Sequence, residues 1–108
     1  MPELNAAELA ELASRFRRGK EIFKQFYEEG PLNPETGTHK YTARQAPEDE
    51  ELQELAEQCN LESAIGFMNE TAAPKTARGA YFTTILCLGS KAMDLEERKR
   101  DERAEKQD

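Results

Sequence analysis

Apolar residues recur at helical spacing from the start of the chain. Leu9, Leu12, Ala13, Phe16, Phe23, Phe26 and Tyr27 fall on one face of a helix. Asn5 is placed to cap its first turn, Glu8 to complete a capping box, and Leu4 to pack back onto Leu9. Gly30 followed by Pro31 predicts its end, because glycine tolerates a left-handed cap and proline cannot continue the hydrogen-bond ladder. Residues 31–46 then read as a long connection. Pro31 and Pro34 lie in it and Pro47 follows it, and Asn33-Pro34-Glu35-Thr36-Gly37 is turn chemistry. Thr38 to Thr42 suits a short extended piece, but the pattern offers it no partner strand.

Pro47 fits the first position of a second helix, with Glu48, Asp49, Glu50 and Glu51 at its positive end. Leu52, Leu55, Ala56 and Cys59 form its apolar face. Leu61, Ala64, Ile65 and Met68 form an equally good face that is out of phase with the first four. A boundary at Asn60, which can cap a third helix, resolves the break. Pro74 and Lys75 are expected to close that third helix.

The most apolar stretch is GAYFTTILCLGSKAMDL, Gly79 to Leu95. The run from Ala80 to Leu88, interrupted by Thr83 and Thr84, is far shorter than the ~20 residues that cross a bilayer. It lacks the two-residue alternation of a half-buried strand. At about 100° per residue, Tyr81, Phe82, Ile85, Leu86, Leu88, Gly89, Ala92, Met93 and Leu95 fill half of a helical wheel, and Thr83, Thr84, Cys87, Ser90, Lys91 and Asp94 fill the other. Arg78 and Glu96 project from the apolar arc and mark its ends. Beyond Glu96, EERKRDERAEKQD has no apolar face, only four-residue charge pairs such as Glu96 with Arg100 and Glu102 with Lys106. A helix over residues 76–108 would be about 50 Å long.

These elements predict an all-α fold. It is a small bundle of about four helices: a long first helix, two short middle helices, and a long C-terminal helix that protrudes. Residues 1–95 form the domain, with the 31–46 loop inside it, and 96–108 form a charged helical extension. With 108 residues, 37% hydrophobic residues and no Trp, the chain supports one domain with a modest core. A net charge of -7, from 22 acidic against 15 basic residues, argues against indiscriminate phosphate binding. Glu3, Glu8 and Glu11 stand where a signal peptide needs positive charge, so the expected location is the cytoplasm, or a virion if a phage encodes the chain. The sequon Asn69-Glu70-Thr71 is then a chance match. Cys59 and Cys87 belong to no CxxC or Cys/His grouping and read as two unpaired thiols.

Catalytic constellations are missing. No GxSxG, P-loop or HExxH pattern occurs, and His39 is the sole histidine. Neither a metal nor another cofactor is called for, and the chain reads as a non-enzyme. The nearest enzymatic alternative is an all-α nucleotide hydrolase that holds magnesium through carboxylates spaced by three, for which Glu48, Glu51, Glu54 and the Asp94, Glu97 pair are the available residues. Three groups stand out as binding candidates. Arg15, Arg17, Arg18, Lys20 and Lys24 make a basic edge on the first helix, five bases against the single acid Glu21. That edge suits an acidic protein or, as a second alternative, nucleic acid; its bland reading is stems covering the apolar stripe while pairs such as Arg17 with Glu21 satisfy the heads. His39, Lys40, Tyr41 and Arg44 sit in the long loop. Glu48, Glu51 and Glu54 form an acidic helix face that would steer a basic surface or meet another copy's basic edge. Gly89 and Ala92 would admit a second backbone close to the last helix. The reading that collects most of this is a small acidic protein-protein interaction module. It would be an adaptor or inhibitor, or an assembly subunit of a larger particle, of the kind bacteria and phages encode. Its partner would be another protein or further copies of itself, without a membrane.

Overall fold

The structure is a computed structural model and describes residues 3–35, 37–70 and 73–106. Its elements run α1 (Ala6–Phe26), β1 (Tyr27–Asn33), β2 (Thr38–Ala43), α2 (Glu50–Gln58), α3 (Leu61–Glu70) and α4 (Pro74–Lys106). The all-α expectation is therefore wrong. The molecule is mostly helical but carries a two-stranded antiparallel sheet, built from the segment assigned to the end of the first helix and to the loop.

The physical reason lies at Tyr27. Phe26 is the last helical residue, and Tyr27 turns into extended backbone. The carbonyl of Phe26, left over by the helix, accepts the Arg44 N–H at 2.8 Å from just beyond β2. Gly30 and Pro31 do not stop a helix. They form an irregularity in the ladder between the Glu29–Tyr41 and Leu32–His39 pairs. Glycine is needed there because a side chain on Gly30 would lie 2.7 Å from the Lys40 carbonyl oxygen. The reversal is made by Asn33, whose side chain accepts the Glu35 N–H and whose carbonyl accepts the Gly37 N–H, with Gly37 at φ 70°. The partner that the extended piece needed was the chain immediately before the turn.

The other helices follow the sequence pattern with shifted ends. Asn5 caps α1 by accepting the Glu8 N–H. Asp49, rather than Pro47, sets the start of α2 by accepting from Glu51 and Leu52. The break at Asn60 is real: it adopts φ 52°, the left-handed conformation that asparagine tolerates, while its carbonyl starts α3 by accepting from Ala64. Pro74 opens α4, where a missing N–H costs nothing, instead of closing α3. The last helix runs 33 residues to Lys106, and residues 107 and 108 of the expected extension lie outside the described residues.

α1 and α4 pass in opposite senses and form the principal contact of the fold. Phe23 meets Tyr81, Gly19 meets Ile85, and Gly89 meets Arg15. At this crossing the two backbones touch. A Cβ on Gly19 would lie 1.8 Å from the Ile85 carbonyl oxygen, and one on Gly89 would lie 1.8 Å from that of Arg15. The close approach anticipated at Gly89 is thus used within the chain. α2 and α3 cover a second side of α4, and Ile22, Leu61, Ile85 and Leu88 are sealed at the centre of the core. The sheet is fastened by α3: the Asn69 side chain accepts the Tyr41 N–H at 2.9 Å and donates to the Tyr41 carbonyl at 2.8 Å. It thereby occupies an edge that would otherwise invite another strand. The second of these bonds engages the amide nitrogen of the sequon asparagine; Thr71 lies outside the described residues.

Candidate functional site

Helical spacing places Ile85 near the middle of the apolar arc of α4, but burial is not centred on it. Thr84, drawn on the polar half, is buried, and Cys87 packs half-buried against the core. Phe82, drawn on the apolar half, keeps 48% of its surface exposed. The covered sector is rotated by roughly 40° from the sequence arc, at about 100° per residue. Thr84 and Leu88 are buried on one flank, and the other, carrying exposed Phe82 and half-buried Leu86, is the more open.

That open flank continues onto α1. Phe16 meets Phe82 edge to face, with ring centroids 5.9 Å apart. One helical turn further, Leu12 and Leu86 line a groove of about 310 Å³ that Leu4 closes. Leu9, two turns before Phe16 on the same face, is 53% exposed. In the other direction Phe82 borders a second groove, of about 280 Å³, between α4 and the hairpin, walled by Leu32, Tyr41, Met68 and Tyr81. Leu32 is 54% exposed. The result is a partly exposed apolar band running over the α1–α4 crossing toward the sheet, with Glu8, Glu11 and Arg15 on its border.

The basic edge divides into two groups. Arg15 bonds Glu11 at 2.8 Å, and this hydrogen bond raises its pKa. Arg18 bonds Glu21 at 3.2 Å and reaches across to Glu96 of α4 at 2.6 Å. Burial pulls the Arg18 pKa down, but the two carboxylates outweigh it and the pKa is raised overall; its Nε is buried without a partner. Arg18 thus joins α1 to α4, while the Arg15 pair stays within α1. Arg17, Lys20 and Lys24 are exposed and make no ion pair among the described residues. The Arg17–Glu21 pair expected from spacing is replaced by Arg18–Glu21. Lys20 lies one turn beyond Phe16 and Lys24 one turn beyond Lys20, so these two cations rim the apolar band on its α1 side, while Arg17 lines a separate groove with Arg18, Glu21 and Met93.

The loop candidates do not form one site. His39 holds the ladder irregularity, with Nδ1 2.8 Å from the Gly30 carbonyl oxygen and Nε2 3.3 Å from Glu29 Oε1. Since the carbonyl only accepts, Nδ1 carries the proton in that contact. Lys40 and Arg44 are exposed. Tyr41 is a packing residue, stacked on Tyr81 at 5.8 Å and edge to face with Phe23 at 5.2 Å. Burial pushes its pKa up to about 12, with Glu29 and Tyr81 adding to the effect, and burial likewise raises Tyr27 and Tyr81. A pKa raised in the folded state means that stability is full below the unfolded value of about 10 and declines as pH rises toward the folded value. Urea midpoints should therefore hold up to pH 10 and fall between pH 10 and 12. Tyr41→Phe should flatten that fall, and an unchanged slope would place the ring outside the cluster.

The acidic face is also split. Glu51 binds Lys99 of α4 through both oxygens, at 2.6 and 2.8 Å, while Glu54 accepts from Gln58 and Glu48 stands exposed before α2. Glu51, Glu54 and Asp94 border a groove of about 500 Å³, but Lys91 and Arg98 border it too. Among the described residues no group of three or more His, Cys, Asp or Glu could hold a metal ion, and no helix is long and apolar enough to cross a membrane. No family model matches the chain, and no curated protein or solved structure is significantly similar to it.

Proposed function

We propose that this chain is a protein-binding module that docks a partner on the open α1–α4 flank. The carrying observation is a flank on which Leu9 and Phe82 are exposed and Phe16 and Leu86 half-buried, beside the uncommitted Lys20 and Lys24. Desolvating aromatic and leucine side chains supplies affinity, and rim cations supply orientation and speed of encounter. The partner's matching surface would carry an apolar ridge flanked by carboxylates. Stable recognition generally buries about 800 Å² per partner, so the docked surface would extend from the flank into the neighbouring hairpin groove. An adaptor or inhibitor and an assembly subunit both fit this reading, and light scattering of the isolated chain distinguishes a discrete species from a many-copy ring or coat.

The test uses a photo-crosslinking residue at Phe82, with Glu62 on α3 as the control position. A protein should be captured from Phe82 and not from Glu62, and capture should weaken with added salt. With that protein purified, Phe82→Asp should weaken binding at least tenfold and Lys20→Glu with Lys24→Glu should slow association. Equal capture at both positions, or affinity indifferent to Phe82→Asp, would sink the proposal. Capture of nucleic acid in place of protein would sink it too.

A further inference from the structure

We propose that the partner on the open flank is a second copy of this chain, docked antiparallel along α4 about Leu86. The inference rests on the docking reading above and names its occupant. Lys75, Gly79, Phe82, Leu86, Ser90, Met93 and Glu97 recur along α4 at helical spacing and, at about 100° per residue, share a sector of roughly 80°. The core side of the helix, carrying Ala77, Thr84, Ile85, Leu88 and Ala92, lies on the other side. Along the stripe Gly79 and Phe82 are exposed, Leu86, Ser90 and Met93 are half-buried, and the charges at both ends are exposed. Nothing in the chain comes within 4 Å of where a Gly79 Cβ would stand.

The intervals between these positions are 4, 3, 4, 4, 3 and 4, the same from either end, with Leu86 at the centre. A second α4 laid antiparallel with its Leu86 on this Leu86 therefore matches every position. Phe82 falls opposite the second copy's Ser90 and Gly79 opposite its Met93, each large side chain against a small one. Ser90 shares with Leu86 the groove that Leu4 and Leu12 border, so the incoming Phe82 ring has a place to enter. The charges match as well. Lys75 falls opposite the second copy's Glu97, and Arg78 opposite its Asp94. None of these four side chains makes an ion pair among the described residues, and Arg15, which both carboxylates influence, is bonded to Glu11 instead. Two-fold symmetry repeats each contact, so opposite charges flank the apolar centre at both ends and fix the register. A parallel copy would set Lys75 on Lys75 and Glu97 on Glu97. Binding an unrelated protein requires no such match of α4 to its own reverse.

Sedimentation of the full chain at rising concentration tests this. The wild type should pass from the mass of one chain to that of two. Lys75→Glu with Arg78→Glu, and separately Asp94→Lys with Glu97→Lys, should each weaken self-association at least tenfold, because every facing pair becomes like-charged. Mixed in equal amounts, the two variants should pair with each other as readily as the wild type pairs with itself, since every facing pair is again opposite. All four positions are exposed, so both variants should keep the wild-type circular dichroism. The proposal is overturned if the wild type remains a single chain up to about 1 mM, assembles beyond two chains, ignores the charge reversals, or is not restored by mixing. Photo-crosslinking at Phe82 separates this failure from that of the docking reading. A single-chain species whose Phe82 still captures another protein overturns the second copy alone, whereas one whose Phe82 captures nothing overturns both.

Discussion

Gly19→Ala should lower the thermal midpoint by about 15 °C, a loss of ~3 kcal/mol or more. Helix propensity alone predicts the opposite sign, since alanine in place of a mid-helix glycine gains about 1 kcal/mol. The crossing decides the matter. The added methyl would stand 1.8 Å from the Ile85 carbonyl oxygen, and that neighbour is backbone within a helix and cannot swing aside. α1 and α4 would have to separate by more than an ångström, loosening the side chains packed around the contact and forfeiting their dispersion energy. Gly89→Ala meets the Arg15 carbonyl at the same distance and should behave alike. The double variant should cost less than the sum, because a helix pair already pushed apart accommodates the second methyl. Gly66 and Gly79 provide the internal control: nothing lies within 4 Å of a Cβ at either, so Gly66→Ala and Gly79→Ala should each stabilise by up to about 1 kcal/mol. If Gly19→Ala stabilised as these controls do, the two helices could not meet where they are described.

That crossing also shows where a single chain stops being legible. Gly19 sits in the run Arg17-Arg18-Gly19-Lys20-Glu21, where it reads only as a weak point in a polar helix face. Its purpose exists only once a second helix lies over it. The hairpin is hidden for a related reason. Tyr27 keeps helical phase with Phe23, and Gly30-Pro31 resembles a helix stop. What ends α1 four residues earlier is pairing with a strand on the far side of the turn, which no local pattern encodes. Asn69 likewise reads as an exposed polar residue near the end of α3 until Tyr41 supplies its two bonds. By contrast, the Asn5 cap, the phase break at Asn60 and the course of α4 depend on neighbours three or four residues away, and each was readable. Of the candidate site residues, spacing located the cations but not their division: the Glu11–Arg15 pair is local to α1, whereas Arg18 is also claimed by Glu96, whose position depends on the fold.

Ile85→Ala and Phe82→Ala test the rotated face of α4, and with it the identity of the open flank. The two side chains look interchangeable in sequence, both large and both on the apolar half of one helix. Ile85 is 0% exposed, and its truncation should cost about 3 kcal/mol through lost transfer energy and an unfilled cavity. Against a total stability of roughly 5–15 kcal/mol for a domain, that is a large fraction. Phe82 is 48% exposed and already bathed by solvent on one side, so Phe82→Ala should cost less than about 1.5 kcal/mol, chiefly the edge contact with Phe16. Denaturant titration of the two variants reads the difference directly. Equal losses would mean that Phe82 is covered within the chain, leaving no flank for a partner. Unequal losses would leave the chain with a large aromatic at its surface that folding hardly needs, on the flank whose Lys20 and Lys24 no carboxylate among the described residues has claimed. A side chain of that kind adds aggregation risk to a free protein, and on the proposed reading a docked partner would remove the exposure.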